Sequence, residues 1–563
     1  MDKDWQDIKV GDEVWLAAVS IDMAGSTEVY KNVGSEEAGR RKVFFRTRAE
    51  RIFGERMCEW HGEGTTFFFL NEEDAFRKSI NFIAEIRTGI EVEVLARISI
   101  ASGLARIKKK LGTMDDEFIS ICGHLNSACP ENSILITEDT YDNLPDDLKE
   151  KFGLCGTTQK DNVLTFIYPH EKKTKKNPEK FLPDADDPAF GMQEYLKTIK
   201  GQCKTLLFSG IQQASKISLL ELTESFFPLK LKKREERFRI PARQDELTIP
   251  LKIPEQMEAY SESLPYPFED IFNKESKIII LGDPGSGKTT LLRWLCLLYS
   301  QGTKAILGKN LGNKRLFPLL IPISSLYLQR KNNVFVNPVD AIIKYISDLG
   351  IRLSPKWLEK MLNNGECLLL LDGLDEIPEK LSRINIARYI EGFIRRFEKN
   401  RFVITSRIVG YEEIRIPTDE YLLCELGDDE IGEFSYNWFY AFEKTVQGEI
   451  PTALKDALKK RDGLISAIKT NPEIKKLAKN PFLLTHICII YVQGQTLPGC
   501  RVDLYRLMCE SLFSTWITAR RPFGEVLTTP INYRQEGEKV LAPLALWMHS
   551  QMPGGMVEYD KIK

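Results

Sequence analysis

The feature that most constrains this chain is the octapeptide Gly282-Asp-Pro-Gly-Ser-Gly-Lys-Thr289, which fits the pattern G-x-x-x-x-G-K-[ST] in full. The apolar run Lys277 to Leu281 precedes it, and an apolar helical pattern from Thr290 to Tyr299 follows it. A strand, a glycine-rich loop and a helix in this order are the context in which the pattern binds phosphate. An incidental glycine-rich turn is the alternative, and the flanking elements disfavour it.

The residue types of this loop suit a phosphate ligand. Glycines let backbone N–H groups approach an anion, and the following helix N-terminus adds a partial positive charge. Lys288 is expected to reach the β- and γ-phosphates of a nucleotide, and Thr289 is expected to ligate Mg²⁺. The remaining residues predicted to surround the phosphates are Gly282, Asp283, Pro284, Gly285, Ser286, Gly287 and Thr290.

A second candidate element lies where the apolar run Cys367 to Leu371 ends in Asp372-Gly-Leu-Asp375-Glu376. The C-terminal ends of parallel strands form the ligand-binding edge of such sheets, so Asp372 is predicted to hold Mg²⁺ directly or through water. Asp375 and Glu376 are candidates to orient or activate the attacking water. An acidic strand end alone is more often a solvated turn, and its pairing with the phosphate loop favours the catalytic interpretation.

A third candidate element is the apolar strand Arg401-Phe-Val-Ile-Thr-Ser-Arg407, which ends in polar side chains. The guanidinium of Arg407 has the forked geometry that senses or stabilises a γ-phosphate. Taken by itself, Arg407 could equally be a surface arginine.

Taken together, these three elements resemble the NACHT branch of the STAND signal-transduction ATPases, and the resemblance covers residues 190–563. Asn480-Pro481 resembles the helical-domain motif whose proline packs on the adenine, which makes Pro481 a further nucleotide-binding candidate. Residues 219–229 resemble the segment that enters such domains. Residues 497–505 and 512–516 resemble the lead into a winged-helix domain.

This resemblance implies a molecular switch with ATP or ADP and Mg²⁺ as cofactors. Members of the family bind ATP between the nucleotide domain and its helical lid. ADP holds a closed monomer, exchange for ATP favours an oligomer that activates an attached effector, and hydrolysis is slow. In energetic terms, the γ-phosphate and Mg²⁺ bias a choice between two domain arrangements.

Residues 12–168 combine short strand patterns with helical ones, as in an α/β or α+β domain. Ser20 to Thr27 and Trp60 to Gly64 resemble the two metal motifs of class III adenylate/guanylate cyclases, and later framework segments match as well. Such cyclases need two carboxylates that hold two metal ions, which activate the ribose 3′-hydroxyl and neutralise the triphosphate. Asp22 fits one position, and Glu63 replaces the usual aspartate at the other.

Other positions of the cyclase-like site depart from the family pattern. Ser120 and His124 stand where the family has asparagine and arginine, and Glu59 lies near the position of the purine-selecting lysine. An imidazole lacks the fixed fork of donors that arginine offers to phosphate. We therefore expect a degenerate cyclase fold rather than an active enzyme. His61 and His124 are each more often structural or surface histidines than metal ligands.

The predicted fold class is a multidomain α/β protein. Its regions are a cyclase-like α+β sandwich domain (1–170), a linker and pre-NACHT segment (171–255), a NACHT P-loop NTPase domain with a parallel sheet and flanking helices (256–450), and a helical lid with the start of a winged-helix domain (451–563). Sensor domains of this family usually lie further along the chain, so residue 563 is either the natural C-terminus or a truncation point.

Composition excludes several classes of function. Lys and Arg number 78 against 80 Asp and Glu, for a formal net charge of −2, which does not indicate nucleic-acid binding. Apolar runs fall short of the roughly 20 residues of a membrane span, and the charged N-terminus lacks a signal-peptide core. Eleven cysteines without a CxxC pair favour a reducing compartment, so a cytoplasmic location is predicted.

Three functions remain open from the sequence. We favour a signalling ATPase whose cyclase-like domain couples to assembly, with a homo-oligomer, a cyclase-like dimer and an unknown trigger as partners. The second is an active nucleotidyl cyclase gated by the NACHT switch. The third is a cyclase-like pocket that only binds a nucleotide as a sensor. Pairing of a signalling ATPase with an exchangeable N-terminal module resembles bacterial immune and stress-response proteins, which implies a defence role.

Overall fold

The structure, a computed structural model, describes residues 5–24, 34–54, 56–87, 94–108, 116–158, 160–161, 163–169, 189–204, 220–234, 264–332, 337–377, 379–411, 414, 416–448, 450–492, 497, 502–509 and 537–551. The chain forms two compact units. The first consists of Met1–Lys197, Gln301–Arg315 and Gly350–Trp357, and the second of Thr198–Ser300, Leu316–Leu349 and Leu358–Lys563. The domain boundaries at 170, 255 and 450 stay predictions.

The first unit contains a six-stranded sheet in the order β2-β1-β3-β4-β6-β5. Its strands are β1 (Glu13–Met23), β2 (Thr65–Phe69), β3 (Ala96–Arg106), β4 (Ser133–Thr137), β5 (Gly153–Thr157) and β6 (Leu164–Tyr168). Strands β3 and β4 run parallel, and the other neighbouring pairs run antiparallel. The sheet is therefore mixed.

Helices of the first unit cover both faces of this sheet. They are α1 (Ser35–Phe53), α2 (Glu72–Arg87), α3 (Glu117–Ala128), α4 (Glu138–Asp142), α5 (Asp146–Lys149) and α6 (Ala189–Cys203), the last of which ends in the second unit. Successive strand side chains point to opposite faces. Val19 of β1 accordingly packs with Phe45 and Phe82 of α1 and α2, whereas Ala18 packs with Cys122 of α3. Burial on both faces explains why β1 is apolar almost throughout.

The second unit contains a seven-stranded sheet in the order β10-β11-β12-β9-β13-β7-β8. Its strands are β7 (Lys230–Lys233), β8 (Tyr266–Pro267), β9 (Lys277–Leu281), β10 (Phe317–Pro322), β11 (Cys367–Asp372), β12 (Arg401–Ser406) and β13 (Asp419–Leu423). Five neighbouring strands of this sheet run parallel, namely β10, β11, β12, β9 and β13. Strands β7 and β8 extend one edge of the sheet in antiparallel orientation. Strand β9 is central, which explains its unbroken apolar run.

Helices and short helical turns make up the rest of the described chain. They are α7 (Leu222–Ser225), α8 (Phe268–Lys274), α9 (Lys288–Gln301), α10 (Thr303–Leu307, in the first unit), α11 (Ile323–Asn332), α12 (Pro338–Asp348), α13 (Pro355–Asn364), α14 (Lys380–Arg396), α15 (Ile408–Tyr411), α16 (Asp428–Gln447), α17 (Ile450–Lys469), α18 (Pro472–Ala478), α19 (Pro481–Val492) and α20 (Glu538–Gln551). Residues 502–509 are helical, and Trp5–Asp7 and Leu374–Glu376 form 3-10 turns. No described helix is long and apolar enough to cross a membrane.

A second apolar core joins the helices that follow the parallel sheet. It brings Trp438 and Phe439 of α16 together with Leu464 of α17 and Ile487 of α19. Helices α17 and α19 lie in the region in which the sequence predicts a helical lid (451–563), whereas α16 lies in the predicted NACHT domain (256–450). The winged-helix domain stays a prediction, because residues 498 and 512–516 lie outside the described part of the chain.

Candidate functional site

The loop between β9 and α9 requires glycine for steric reasons. Gly285 and Gly287 have φ values of 77° and 98°, in the left-handed region that favours glycine. A Cβ at Gly282 would lie 2.6 Å from the Ser286 hydroxyl oxygen, and one at Gly285 would lie 2.8 Å from Cβ of Phe482. The predicted phosphate loop is therefore a tight turn that opens directly into the N-terminus of α9.

Lys288 lies at the start of α9 with its ammonium group turned into this loop. Its Nζ donates to the carbonyl oxygens of Gly282 at 2.8 Å and Asp283 at 2.9 Å. Burial lowers the pKa of Lys288, and the nearby carboxylates of Asp375 and Asp372 work in the opposite direction. The loop thus holds a cation beside two acids, as a site for a phosphate and a metal ion requires.

The acidic end of β11 is fixed by a hydroxyl group of the neighbouring strand. Thr405 of β12 donates to Asp372 Oδ1 at 2.5 Å and accepts a hydrogen bond from the Gly373 N–H at 3.0 Å. Gly373 has a φ of 78°, and a Cβ there would lie 2.7 Å from Cδ of Glu376. Asp372 therefore has a defined position at the carboxyl edge of the sheet.

Asp375 is bound to Arg407 through both of its oxygens. Oδ1 accepts from the Arg407 backbone N–H at 2.9 Å, and Oδ2 lies 3.0 Å from Arg407 Nε. The Asp375 side chain is only 9% exposed, whereas that of Arg407 is 48% exposed. This geometry suits Asp375 to anchor the arginine.

Glu376 occupies a different environment from Asp375. It is exposed, and it lines the same cavity as Lys288 and Asp372. Partial desolvation of the carboxyl group raises the pKa of this otherwise exposed residue, with further increases from Asp372 and Asp375 and an opposing effect from Arg407. A carboxylate of raised pKa is the better proton acceptor, so the two adjacent acids are suited to separate tasks.

A cavity of about 400 Å³ joins these polar groups to an apolar region. Its polar and backbone lining comprises Ser225, Pro284, Gly285, Gly287, Lys288, Thr289, Thr290, Arg293, Asp372, Gly373, Asp375, Glu376, Thr405, Arg407 and Thr485. Its apolar lining comprises Leu222, Phe226, Phe227, Leu229, Phe434, Trp438, Pro481 and Phe482. The volume and the two-part lining suit a ligand with an anionic end and an aromatic end.

The N-terminus of α19 is hydrogen-bonded to the main chain of the phosphate loop. Asn480 Nδ2 donates to the carbonyl of Pro284 at 3.0 Å, and the Phe482 N–H donates to the carbonyl of Gly285 at 3.1 Å. Asn480 Oδ1 also accepts from the N–H groups of Phe482 and Leu483, which caps the helix. One side chain therefore joins the lid helix to the loop.

The structure brings most of the predicted nucleotide-site residues into one cavity. Gly282, Asp283 and Ser286 belong to the loop and lie outside the cavity lining given above. Sequence reasoning missed Trp438, Phe434 and Phe226, whose apolar character is indistinguishable from that of core residues. It also missed the clamp formed by Asn480, although the position was part of a recognised motif.

In the first unit, Asp22 and Glu63 lie close enough to interact. Asp22 is near the end of β1, directly opposite Arg97 on β3. Burial raises the pKa of Asp22, Arg97 lowers it, and Glu63 raises it further. Glu63 Oε1 lies 3.4 Å from Lys42 Nζ. Among the described residues, no cluster of three or more His, Cys, Asp or Glu side chains could hold a metal ion.

His124 of α3 contacts two charged residues that lie between β5 and β6. Its Nδ1 lies 3.0 Å from Asp161 Oδ1, and its Nε2 lies 2.6 Å from Lys160 Nζ. Ser120, also on α3, is exposed. His61 makes main-chain hydrogen bonds with Gly64 in a tight turn. Residues 25–27 of the first predicted metal motif lie outside the described residues.

The parallel sheet, the glycine loop, the helix that follows it and the acidic strand end define a P-loop nucleotide-binding site. The NACHT domain family model matches residues 276–441, which carry all of these elements. The predicted resemblance to NACHT proteins is therefore confirmed for this stretch. A search of the curated proteins found no match.

Solved structures of cyclase domains are similar to about 28% of this chain. They include an adenylate/guanylate cyclase/hydrolase from Silicibacter pomeroyi (15% identity, 97% of that chain, TM-score 0.25) and the adenylyl cyclase CyaB from P. aeruginosa (16% identity, 94% of that chain, TM-score 0.24), each covering 28% of this chain. The guanylate cyclase domain of RhGC from Catenaria anguillulae, in complex with GTP, shows 16% identity over 28% of this chain and 97% of that chain, with a TM-score of 0.24.

Proposed function

We propose that this chain is a nucleotide-dependent signalling switch. In this proposal, the second unit binds ATP with Mg²⁺ and hydrolyses it slowly. The nucleotide state then controls self-association and the cyclase-like N-terminal domain. The observation that carries the proposal is the single cavity lined by Lys288, Thr289, Asp372 and Glu376 together with Pro481 of the lid helix.

Each polar group at the phosphate end of the cavity has a proposed role in binding the nucleotide or Mg²⁺. Lys288 and the N–H groups of the loop bind the β- and γ-phosphates. The Thr289 hydroxyl and the Asp372 carboxylate supply the oxygen ligands that Mg²⁺ prefers, and the hydrogen bond from Thr405 fixes the orientation of that carboxylate. Bound there, Mg²⁺ would stabilise the charge that develops on the phosphates.

Hydrolysis requires a group that orients water and a cation near the γ-phosphate. Glu376 is proposed for the first task, because it lines the cavity and its pKa is raised above the ordinary value of a glutamate. Arg407 is proposed for the second, with Asp375 as the positioning residue that holds it. The slow rate is what the NACHT resemblance implies.

The proposed change of domain arrangement depends on which elements line the cavity. The phosphate loop, α16 and α19 all contribute to one cavity, so a nucleotide that fills it contacts elements distant in sequence. A ligand shifts such an arrangement only to the extent that it binds one arrangement more tightly than another. Self-association, and a role in bacterial defence or stress signalling, are proposed from the resemblance.

A second candidate function is nucleotidyl cyclase activity gated by the switch. The interaction between Asp22 and Glu63 favours it, since two carboxylates are what the metals of such enzymes need. His124 opposes it, since its ring nitrogens lie beside Asp161 and Lys160 rather than offering a forked donor. Binding of a nucleotide without turnover at this site is the third candidate.

Titration with a fluorescent ATP analogue in the presence of Mg²⁺ tests the main proposal. Lys288→Ala is expected to weaken binding by about tenfold or more, because the cation that faces the phosphates is lost. Lys344→Ala is the matched control, since that lysine forms an exposed pair with Asp348 at 2.5 Å. Equal affinity of wild type and Lys288→Ala would refute the assignment. Gel filtration with ATP and with ADP measures self-association.

A further inference from the structure

Residues 301–315, hereafter the arm, connect helix α9 of the nucleotide site to strand β10, yet they belong to the first unit. The chain enters the arm from α9, the helix that begins at Lys288. It leaves the arm into β10, whose last residue, Pro322, pairs with Asp372 of β11. One end of the arm is therefore continuous with the helix that begins at Lys288, and the other end with the strand that pairs with the Asp372 strand.

Arg315 attaches the C-terminal end of the arm to helix α4. Its guanidinium lies 3.1 Å from Glu138, 3.4 Å from Asp139 and 2.9 Å from Asp142, and its side chain is only 20% exposed. Burial acts against the charge of Arg315, but the three carboxylates outweigh it and raise the pKa of the guanidinium. The arginine is a charged anchor with three acidic partners on one turn of helix.

The N-terminal end of the arm is attached to the same unit. Thr303 donates from its hydroxyl at 2.9 Å and from its N–H at 3.3 Å to Asp139 Oδ1. Lys304 lies 3.4 Å from Glu72, which is almost fully buried and also accepts from Trp15 Nε1 at 2.6 Å. Gly302 has a φ of 100°, and a Cβ there would lie 3.3 Å from Asp142 Oδ2.

These attachments differ from ordinary surface ion pairs. Exposed pairs contribute little to stability, because water screens both partners. Removing one partner of a buried pair leaves uncompensated charge, and here loss of Arg315 would leave three carboxylates facing one another. Loss of Arg315 alone is therefore expected to disfavour the docked position of the arm.

A single strand, β4, connects helix α4 to the position of the cyclase-like site. The helix directly follows β4, whose first residue, Ser133, pairs with Arg97 of β3. Arg97 in turn stands opposite Asp22 of β1. The anchor of the arm and the acidic site thus lie at opposite ends of one parallel strand pair.

We infer that the arm is a coupling element, through which occupancy of the phosphate loop and docking at α4 affect each other. A movement of α9 relative to β10 displaces the two ends of the arm relative to each other. The ion pairs of Arg315 with α4 either oppose this displacement or pass it on to α4. The inference rests on the proposed nucleotide binding. Coupling is reciprocal, so complete undocking must change nucleotide affinity by the same factor by which the nucleotide changes docking, and partial weakening changes it by less.

The test compares the dissociation constants of the fluorescent ATP analogue with Mg²⁺ for wild type and undocked variants. Arg315→Met with Glu138→Gln and Asp142→Asn removes the cation together with two of its three acidic partners, so only Asp139, which still accepts from Thr303, keeps its charge. Lys304→Met is a milder variant that preserves the cluster. We expect the affinity to change by about fivefold or more in the triple variant and in the same direction, by less, in Lys304→Met.

Arg396→Met provides the control, because Arg396 forms an exposed pair with Glu359 at 2.9 Å in the second unit, and we expect it to bind like wild type. Unchanged affinity in both arm variants, with binding still weakened in Lys288→Ala, overturns the coupling and leaves the proposed function intact. If the triple variant does not fold, the same affinity in Lys304→Met and wild type overturns the coupling. Failure of wild type to bind the analogue overturns both proposals.

Discussion

Asp375 holds Arg407 by two contacts, one to the backbone N–H at 2.9 Å and one to the guanidinium Nε at 3.0 Å. The carboxylate is buried and the arginine half-exposed, so the acid fixes where the cation can reach. The next residue, Glu376, faces the cavity. Adjacent acids thus separate into a positioning group and a candidate base.

Glu376→Gln tests the base assignment. The variant keeps the shape of the side chain but cannot accept a proton, so we expect hydrolysis to fall by about 100-fold or more, with ATP affinity near that of wild type. Phosphate release and analogue titration measure the two quantities. Hydrolysis at the wild-type rate would assign the base elsewhere.

Asp375→Asn tests the positioning role of its neighbour. Loss of the ion pair frees the Arg407 guanidinium, so we expect the preference for ATP over ADP to shrink and hydrolysis to slow. The ratio of the two dissociation constants is the readout that a merely structural role would not move. An unchanged ratio in a folded variant would show that Arg407 does not sense the γ-phosphate through Asp375.

Asn480→Ala is expected to accelerate release of a fluorescent ADP analogue, because it removes the hydrogen bond from the lid helix to the Pro284 carbonyl. Loss of the cap should also lower stability by about 1 kcal/mol. Asn471→Ala is a matched control, since Asn471 caps α18 through the N–H groups of Glu473 and Ile474. We expect a similar loss of stability in the control with an unchanged release rate. Equal release rates in both variants would contradict the clamp.

Glu138 is expected to give the first unit a pH-dependent stability. Burial raises its pKa from 4.5 to about 7, against the opposing effect of Arg315. Between these values the folded state holds a proton that the unfolded state has lost. Stability from this group is therefore fully present below about pH 4.5 and is lost as pH rises toward 7, by at most about 1.4 kcal/mol per pH unit.

Thermal unfolding of wild type and Glu138→Gln at pH 5, 6 and 7 measures this effect. The amide does not titrate, so we expect the melting temperature of the variant to rise relative to wild type as pH increases. A difference that stays constant or reverses with pH would contradict the raised pKa.

Incubation of wild type with ATP or GTP and Mn²⁺ or Mg²⁺ is expected to yield no cyclic nucleotide. By the resemblance to cyclases, His124 stands at the position of the phosphate-binding arginine, and it lies beside Asp161 and Lys160. Chromatographic analysis of the products is the measurement. A cyclic product that disappears in Asp22→Ala would establish the cyclase alternative instead.

The nucleotide site was largely predictable because its signals are local. The residues from Lys277 to Tyr299 specify a buried strand, a glycine loop and a helix, and the structure has β9 and α9 there. Alternation of strand and helix also indicated the parallel sheet. Local patterns sufficed because each of these elements is defined by its immediate neighbours in sequence.

Other features depend on contacts between distant parts of the chain. Arg315 meets Asp139 at a separation of 176 residues, and Asn480 meets Pro284 at a separation of 196. A polar residue in a loop carries no local sign of such a partner. Trp438 was equally hidden, because an aromatic residue on an apolar helix face looks like core whether or not a cavity lies beside it.

Asn480 and the Phe482 N–H donate to carbonyl groups of the phosphate loop. These contacts determine which loop positions can accept a substitution among homologues of this chain. Every residue type offers a backbone carbonyl, so exchange of Pro284 leaves an acceptor for Asn480 in place. Gly285 cannot be substituted in the same way, since a Cβ there would lie 2.9 Å from Asn480 Oδ1 and 2.8 Å from Cβ of Phe482. Variation should therefore accumulate at position 284 and be purged at position 285, even among homologues that no longer turn over nucleotide.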